Sequence, residues 1–384
     1  MKVGRYDYRS QFERFDEFMA ELSTMIVDGH YVLSGEVEEF ERAFAEYLDC
    51  RFVVGVNTGT DALLCSLKIL DLQPQDEVIT QANTFNATVS AICLAGLTPA
   101  LVDANEDSFL MNVDQAISLV GPRTRVLLPV HLYGKPTPMQ ELLGECAKRG
   151  VDLVEDAAQA HGARIDSQRA GTFGVLGCFS FHPSKNLAAA GDGGAIAANR
   201  ADLHEKLLAL RALGQVGQNN HVYVGYNTKL DSIQAKILTW KLASLDRWNE
   251  HRRMIARQYR DRLADLPLKF QSWDHAKGED HVFHLFAIRT EQRDELLKHL
   301  QSKGVDAVIR YPAPIHLQPA FSGYGWRVGQ FPVAEALARE LLCLPIRPNL
   351  TSTEVDYVSD CVRSFFTGSD VSRNYSISQT RGEL

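Results

Sequence analysis

The sequence predicts an α/β fold built on a largely parallel sheet with helices on both faces. Two observations carry that prediction. Between about residues 52 and 198, short β-branched runs alternate with helical ones, the order required when parallel strands are joined by helical crossovers. Polar and glycine-rich turns follow several of these runs, at the strand ends where such sheets bind ligands. A length of 384 residues with 45% hydrophobic content allows a large core and exceeds what one simple domain uses, so two domains are expected.

In chain order, Phe52-Val53-Val54-Gly55-Val56 reads as a first strand, and the segment from Ala62 to Leu70 has helical apolar spacing. Further strands are expected at 77–80, 98–103, 125–131, 151–155, 176–181 and 194–198, with helices at 87–95, 138–149 and 201–213. A long apolar stripe through Ile233, Ile237, Leu238, Leu242 and Leu245 predicts a helix from Asp231 to about Tyr259 that bridges to a second domain. That domain is expected to hold a helix at 251–264, a strand at 282–288, a helix at 293–302 and a last helix at 353–366. Residues 367–384, polar and rich in Ser, Arg and Asn, are expected to be a disordered tail. The division is therefore 1–249, 250–366 and tail.

Three motifs carry chemistry. Asn57-Thr58-Gly59-Thr60-Asp61 joins the first strand to a helix start, where free backbone N–H groups and the positive end of the helix dipole form a phosphate cradle. Val151-Asp152-Leu153-Val154-Glu155-Asp156 is a buried strand that delivers a carboxylate, Asp156, at its end. Phe179-Ser180-Phe181-His182-Pro183-Ser184-Lys185 places an amine shortly before Gly191-Asp192-Gly193-Gly194. Alone, a lysine is a surface charge and an acid after a strand is a helix cap. Together they are the minimum apparatus of a pyridoxal phosphate (PLP) site: an amine for a Schiff base, a carboxylate to hold the pyridine nitrogen protonated, and a seat for the phosphate.

Over about residues 3–366 the chain resembles the DegT-type nucleotide-sugar aminotransferases, PLP enzymes with the type I aspartate-aminotransferase fold. The resemblance extends to Gly35-Glu36-Val37-Glu38-Glu39-Phe40-Glu41, Asn83-Thr84-Phe85-Asn86-Ala87-Thr88, Leu128-Pro129-Val130-His131-Leu132-Tyr133-Gly134, Gly225-Tyr226-Asn227-Thr228-Lys229-Leu230-Asp231 and Tyr311-Pro312-Ala313-Pro314-Ile315-His316. It implies a three-layer fold, with a mostly parallel sheet in a large domain and a smaller α+β C-terminal domain. It implies Lys185 and Asp156 as catalytic residues, with Gly59, Thr60 and Ser180 on the phosphate, Phe85 stacked on the pyridine face and Gln159 beside the ring hydroxyl. Asn227 would reach the phosphate of the neighbouring subunit, making the active unit a homodimer with shared sites. Tyr31, Tyr311 and His316 are substrate candidates, and Lys229, Arg310 and Arg327 could supply cations for a nucleotide diphosphate. Arg310 stands where the family often has histidine, and Arg347 is unexpected after Leu344-Pro345-Ile346.

The implied reaction moves an amino group from glutamate or glutamine to a keto-sugar. Asp192, where enzymes acting at sugar C4 more often show glutamate, favours a nucleotide-linked 3-keto-deoxysugar. A PLP-dependent dehydratase or lyase is the alternative, although family members that dehydrate look like they carry histidine in place of the lysine. A regulatory module on the same scaffold would not require a buried amine beside an acid. A net charge of −8 argues against nucleic-acid and anionic-membrane partners. Seven cysteines without any Cys-x-x-Cys pair read as reduced core residues of a cytoplasmic protein, with no metal site. Dinucleotide-binding and P-loop signatures are lacking.

Overall fold

The computed structural model describes residues 1–274 and 278–368. Its helices are α1 (Phe15–Val27), α2 (Gly35–Leu48), α3 (Gly59–Lys68), α4 (Asn86–Leu94), α5 (Val113–Leu119), α6 (Met139–Arg149), α7 (Ala201–Arg211), α8 (Ser232–Leu242), α9 (Leu245–Leu263), α10 (Arg293–Ser302), α11 (Pro332–Glu340) and α12 (Ser352–Thr367). Strands β1 (Phe52–Val56), β2 (Glu77–Gln81), β3 (Thr98–Val102), β4 (Thr124–Leu127), β5 (Asp152–Asp156), β6 (Arg164–Ile165) and β7 (Gln168–Arg169) come first. They are followed by β8 (Leu176–Ser180), β9 (Gly194–Ala198), β10 (Lys269–Phe270), β11 (Glu279–Asp280), β12 (Phe286–Arg289) and β13 (Leu341–Leu344). Most expected elements fall within two residues of these bounds.

A seven-stranded sheet of order β1-β9-β8-β5-β4-β2-β3 forms the centre. Only β9 runs against its neighbours, pairing antiparallel with both β1 and β8, while the remaining pairs are parallel. The near-continuous burial of β5, β8 and β9 follows from helices covering both faces. On one face lie α2 and α8, with Phe40, Phe44, Phe179 and Phe181 in mutual edge and stacked contacts. The other face carries α3 and α7, whose Leu63, Leu67, Leu203 and Leu207 share a core with Val54 and Ile196.

Four expectations need correction. The strand expected at 125–131 ends at Leu127. The predicted bridge from Asp231 to Tyr259 is two helices: Ser244 N–H bonds the Lys241 carbonyl three residues back (3.0 Å), tightening the chain between α8 and α9. Buried Ala235, Leu238, Leu242 and Leu245 keep helical phase through the break and run on into Trp248, Arg252, Ile255 and Tyr259, so periodicity could not reveal it. The expected helix at 251–264 is the second half of α9. The strand expected at 282–288 begins only at Phe286, because Phe283 adopts φ 43°, outside the extended region.

A second core gathers Ile255, Tyr259 and Leu263 of α9 with α10, α12 and the antiparallel sheet β10-β12-β13. The proposed division near residue 250 therefore falls inside α9. Val3, assigned by sequence to the large domain, is buried in this C-terminal core: its N–H bonds the Gly304 carbonyl (3.0 Å) and its carbonyl accepts from Asp306 N–H (2.9 Å). The expectation of a disordered tail lies, from residue 369 onward, outside the described residues. All seven cysteines are free thiols. Among the described residues no helix is long and apolar enough to cross a membrane.

One polar cluster fixes the middle of the sheet. Glu155, fully buried, accepts from the N–H groups of Gly171, Phe173 and Gly174 (each 2.7 Å) and from His131 Nε2 (2.9 Å). Because His131 Nδ1 accepts from Thr137 N–H (3.0 Å), the ring proton must sit on Nε2 and point at the carboxylate. Gly171 meets this geometry with φ +89°, and a Cβ there would lie 2.3 Å from the Phe179 ring. Glu155→Gln puts an amide NH2 among donors, so unfolding by urea should show a loss on the order of 3 kcal/mol; an unchanged midpoint would refute the anchoring role.

Candidate active site

Strand alternation gives the site its first group. With Glu155 turned to one face of β5, Asp156 turns to the other, into a cavity of about 480 Å³ at the carboxyl ends of β1, β5 and β8. Gly59, Thr60, Ser180, Lys185 and Asp156 line it, as do Phe85, Gln159, Arg310 and Tyr311. Nine of the residues singled out by sequence are thus brought together.

The N-terminus of α3 opens on this cavity. Thr58 caps the helix, its Oγ accepting from Asp61 N–H (2.9 Å), which leaves the Gly59 and Thr60 amides without intrahelical partners. Glycine is required at 59 for a reason the sequence reading did not anticipate: a Cβ there would approach Ser180 Cβ to 2.6 Å. The absent side chain lets β8 carry the Ser180 hydroxyl up to the helix end.

Burial raises the pKa of Asp156; the Thr88 hydroxyl (2.8 Å), the Ala158 N–H (3.1 Å) and the charges of Lys185 and His131 pull it back without cancelling the effect. Asp156 thus has no directly paired cation among the described residues, and a protonated ring nitrogen placed against it would supply one. Lys185 is shifted to a pKa of about 8, chiefly because its surroundings strip water from the amine; Asp156 opposes the shift and Arg310 adds to it. Its amine makes no hydrogen bond among the described residues, and its N–H bonds the His182 carbonyl (2.8 Å). Next to it, Asn186 donates to Asn249 Oδ1 and to the Val282 carbonyl (both 2.9 Å), pinning the lysine loop to α9 and to the segment before β12.

Phe85 is 52% exposed, against the usual fate of a phenylalanine, and its ring stands 5.3 Å from that of Tyr311. Gln159 accepts from Tyr133 N–H (2.7 Å) and donates to the Tyr311 hydroxyl (3.0 Å), so its amide also orients a neighbouring cavity residue. Thr88, Asn186, Tyr6 and His284 escaped the sequence reading. His284 sits in the cavity wall with Nδ1 unpartnered, its pKa pushed well down by burial and by Lys185. The Asn83-Thr84-Phe85-Asn86-Ala87-Thr88 motif held the signal for Thr88; nothing local marked His284 or Tyr6, which arrive from distant segments.

Other candidates lie elsewhere. His316 is not in the cavity: it is buried against Glu335 (2.9 Å) and the edge of Phe331, and thus anchors α11 instead of reaching a substrate. Arg327 is on an exposed loop outside the cavity. Tyr31, half-exposed with its hydroxyl on the Ile26 carbonyl (2.7 Å), is outside this chain's own cavity, and its carbonyl accepts from Ser232 N–H (3.1 Å) beside the Val32 to Asp231 bridge. Asn227 accepts a hydrogen bond from the Lys229 amine, and neither lines this chain's own cavity.

The profile of the DegT/DnrJ/EryC1/StrS aminotransferase family matches residues 14–363. The chain belongs to that family. It is 41% identical, over 95% of its length and 96% of the relative's, to the dTDP-3-amino-3,4,6-trideoxy-alpha-D-glucose transaminase of Streptomyces venezuelae. A Geobacillus stearothermophilus relative named pleiotropic regulatory protein is 36% identical, over 95% of this chain and 99% of that one. Among solved structures, S. venezuelae DesV in complex with a ketimine intermediate superposes with a TM-score of 0.92 at 40% identity, covering 97% of this chain and 99% of that one. The expected α/β aminotransferase fold and family are thereby established.

The depressed amine gives a direct test. In cofactor-free protein, acetylation of Lys185 followed by peptide mass spectrometry should have its pH midpoint near 8, against about 10.4 for lysines of the denatured chain. Coincident midpoints would remove the desolvation argument.

Proposed function

We propose that this chain transfers an amino group from glutamate or glutamine to a nucleotide-linked 3-keto-deoxysugar in amino-sugar biosynthesis, using pyridoxal 5′-phosphate. The observation that carries the reading is the meeting, in one cavity, of an amine of lowered proton affinity, a buried carboxylate without a cation and an open helix N-terminus. In this reading the Gly59 and Thr60 amides and the Ser180 hydroxyl hold the phosphate, Asp156 the ring nitrogen, Phe85 the ring face and Gln159 the ring hydroxyl. When bound, the cofactor supplies an electron sink for charge developing on the substrate carbon.

The protein's own part is proton handling and orientation. With a pKa of about 8, Lys185 has a usable free-base fraction near neutral pH and can take and return the proton at the substrate carbon. Asp156 stays ionised once its burial cost is offset by a cationic partner. Asp192, in the cavity wall, and the 3-amino and 3-dehydro sugars in the names of four relatives support amination at C3. The name pleiotropic regulatory protein favours a regulatory reading, against which stands the intact Lys185 and Asp156 pair.

The proposed homodimer has support in an exposed apolar surface. Val32, Leu213, Val216, Val222, Tyr223 and Val224 are each about half-exposed or more, on segments bordering Asn227 and Lys229. A second copy covering this surface would bring Asn227 to its partner's phosphate seat. In such an arrangement Tyr31 and Lys229 would be candidates for the partner's site together with Asn227.

Three experiments test these assignments. Competing 3-keto and 4-keto nucleotide-sugars, with glutamate or glutamine and mass-spectrometric location of the new amine, should show preference for the 3-keto substrate. Borohydride should fix the cofactor to wild type and not to Lys185→Ala; preference for 4-keto sugars would overturn the C3 assignment alone. For the dimer, mixing Asn227→Ala with Lys185→Ala chains should restore part of the activity, since one site of each heterodimer then carries neither defect. Proven subunit exchange without recovery would assign Asn227 to its own chain.

A further inference from the structure

Arg310 is a cation in the active cavity without a side-chain partner among the described residues. Its guanidinium lines the cavity, yet it makes no hydrogen bond or ion pair with any described residue. More deeply placed arginines all have acceptors: Arg169, Arg211, Arg289 and Arg347 each meet an Asp or Glu carboxylate, and buried Arg252 donates to the Phe283 and Ile346 carbonyls. Arg310 is only part-buried, so water can still reach its guanidinium, and an anion entering the cavity would take the place of that water.

The backbone that presents Arg310 is held on both sides. Val308 exchanges hydrogen bonds with Cys343 of β13 (3.0 and 2.8 Å), the Arg310 carbonyl accepts from the Tyr133 hydroxyl (2.7 Å), and Tyr311 is tied to Gln159 (3.0 Å). Such rigid support suits a residue that must meet a ligand in one geometry. The guanidinium also lies close enough to Lys185 to lower the amine's proton affinity.

We infer that Arg310 is the subsite for the α-carboxylate of the amino donor. The inference rests on the aminotransferase reading above and adds the donor's mode of recognition to it. In an α-amino acid the carboxylate is on the same carbon as the amine, so with that amine at the Lys185 position the carboxylate falls within reach of a cation beside the lysine. A planar guanidinium can take both oxygens at once. The diphosphate of a 3-keto nucleotide-sugar is separated from the reacting carbon by the intervening ring carbons and the glycosidic oxygen. A cation for that group belongs farther from the amine.

Because the two halves of a transamination run separately, full-length holoenzyme gives the test. L-glutamate or L-glutamine alone reports the donor half through the cofactor absorbance, and the amino-sugar product alone reports the sugar half. In Arg310→Ala the donor-side kcat/KM should fall on the order of 100-fold, mostly in KM, with a smaller loss in Arg310→Lys. Binding of 2-methylglutamate, which cannot lose the α-proton, should weaken in parallel when followed by spectral titration. The donor-side loss should exceed the sugar-side loss at least tenfold, and the sugar half also reports whether each variant is folded. Equal losses on both sides would make Arg310 a structural residue, and a loss confined to the sugar side would give it to the diphosphate. A wild type inert towards both donors but able to take the amine from the amino-sugar would overturn the donor assignment alone. Wild type inert in both halves would overturn the aminotransferase reading itself.

Discussion

The architecture of the site depends on the carboxylate of Glu155. Three backbone amides and one imidazole converge on it, so β5, the Gly171 to Gly174 turn and the loop after β4 share one anchor. An isolated charge in the middle of a sheet would be ruinous, but one with every lone pair engaged is rigid. Side chains alternate along a strand. Once Glu155 is committed to one face, Asp156 has no freedom about which way it points, and the cavity carboxylate inherits its aim from a neighbour on the opposite face of the strand.

The cavity itself is an exercise in incomplete pairing. Asp156 is buried beyond what its hydrogen bonds offset, Lys185 holds its proton less tightly than a lysine should, and Arg310 has no counter-ion among the described residues. Each departure is a local cost that the surrounding core must tolerate, and each is relieved by a ligand of opposite character. The contrast with Glu155, a few ångströms of backbone away and fully satisfied, separates groups that build the site from groups that wait for something to enter it.

Much of this was legible in the chain. Alternating strands and helices gave the central sheet nearly to the residue, because β-branched runs bounded by glycine and polar turns leave little choice of period. Lys185, Asp156 and the α3 cradle were legible because their chemistry is local to three short motifs. His316 was misread: a loop histidine and a ligand-binding one look alike until Glu335, nineteen positions on, is seen to face it. The break between α8 and α9 left no trace, since apolar spacing continued in phase through it. Thr88, Asn186 and His284 owe their importance to partners on other elements. The reason for Gly59 was hidden too, because the atom it makes room for belongs to Ser180, two strands away in the sheet.

The placement of Val3 has a bearing on how the molecule comes into being. Its backbone is clasped by Gly304 and Asp306, and Tyr6, three positions later, stands in the wall of the active cavity. During synthesis the segment around Val3 must therefore wait, unpaired, until the residues around Gly304 and Asp306 have followed and its own backbone partner exists. The large sheet can form meanwhile, since its strands all lie between residues 52 and 198, but the cavity keeps one side unfinished until the Val3 segment meets Gly304 and Asp306. Completion of the pocket is thus coupled to assembly of the C-terminal core.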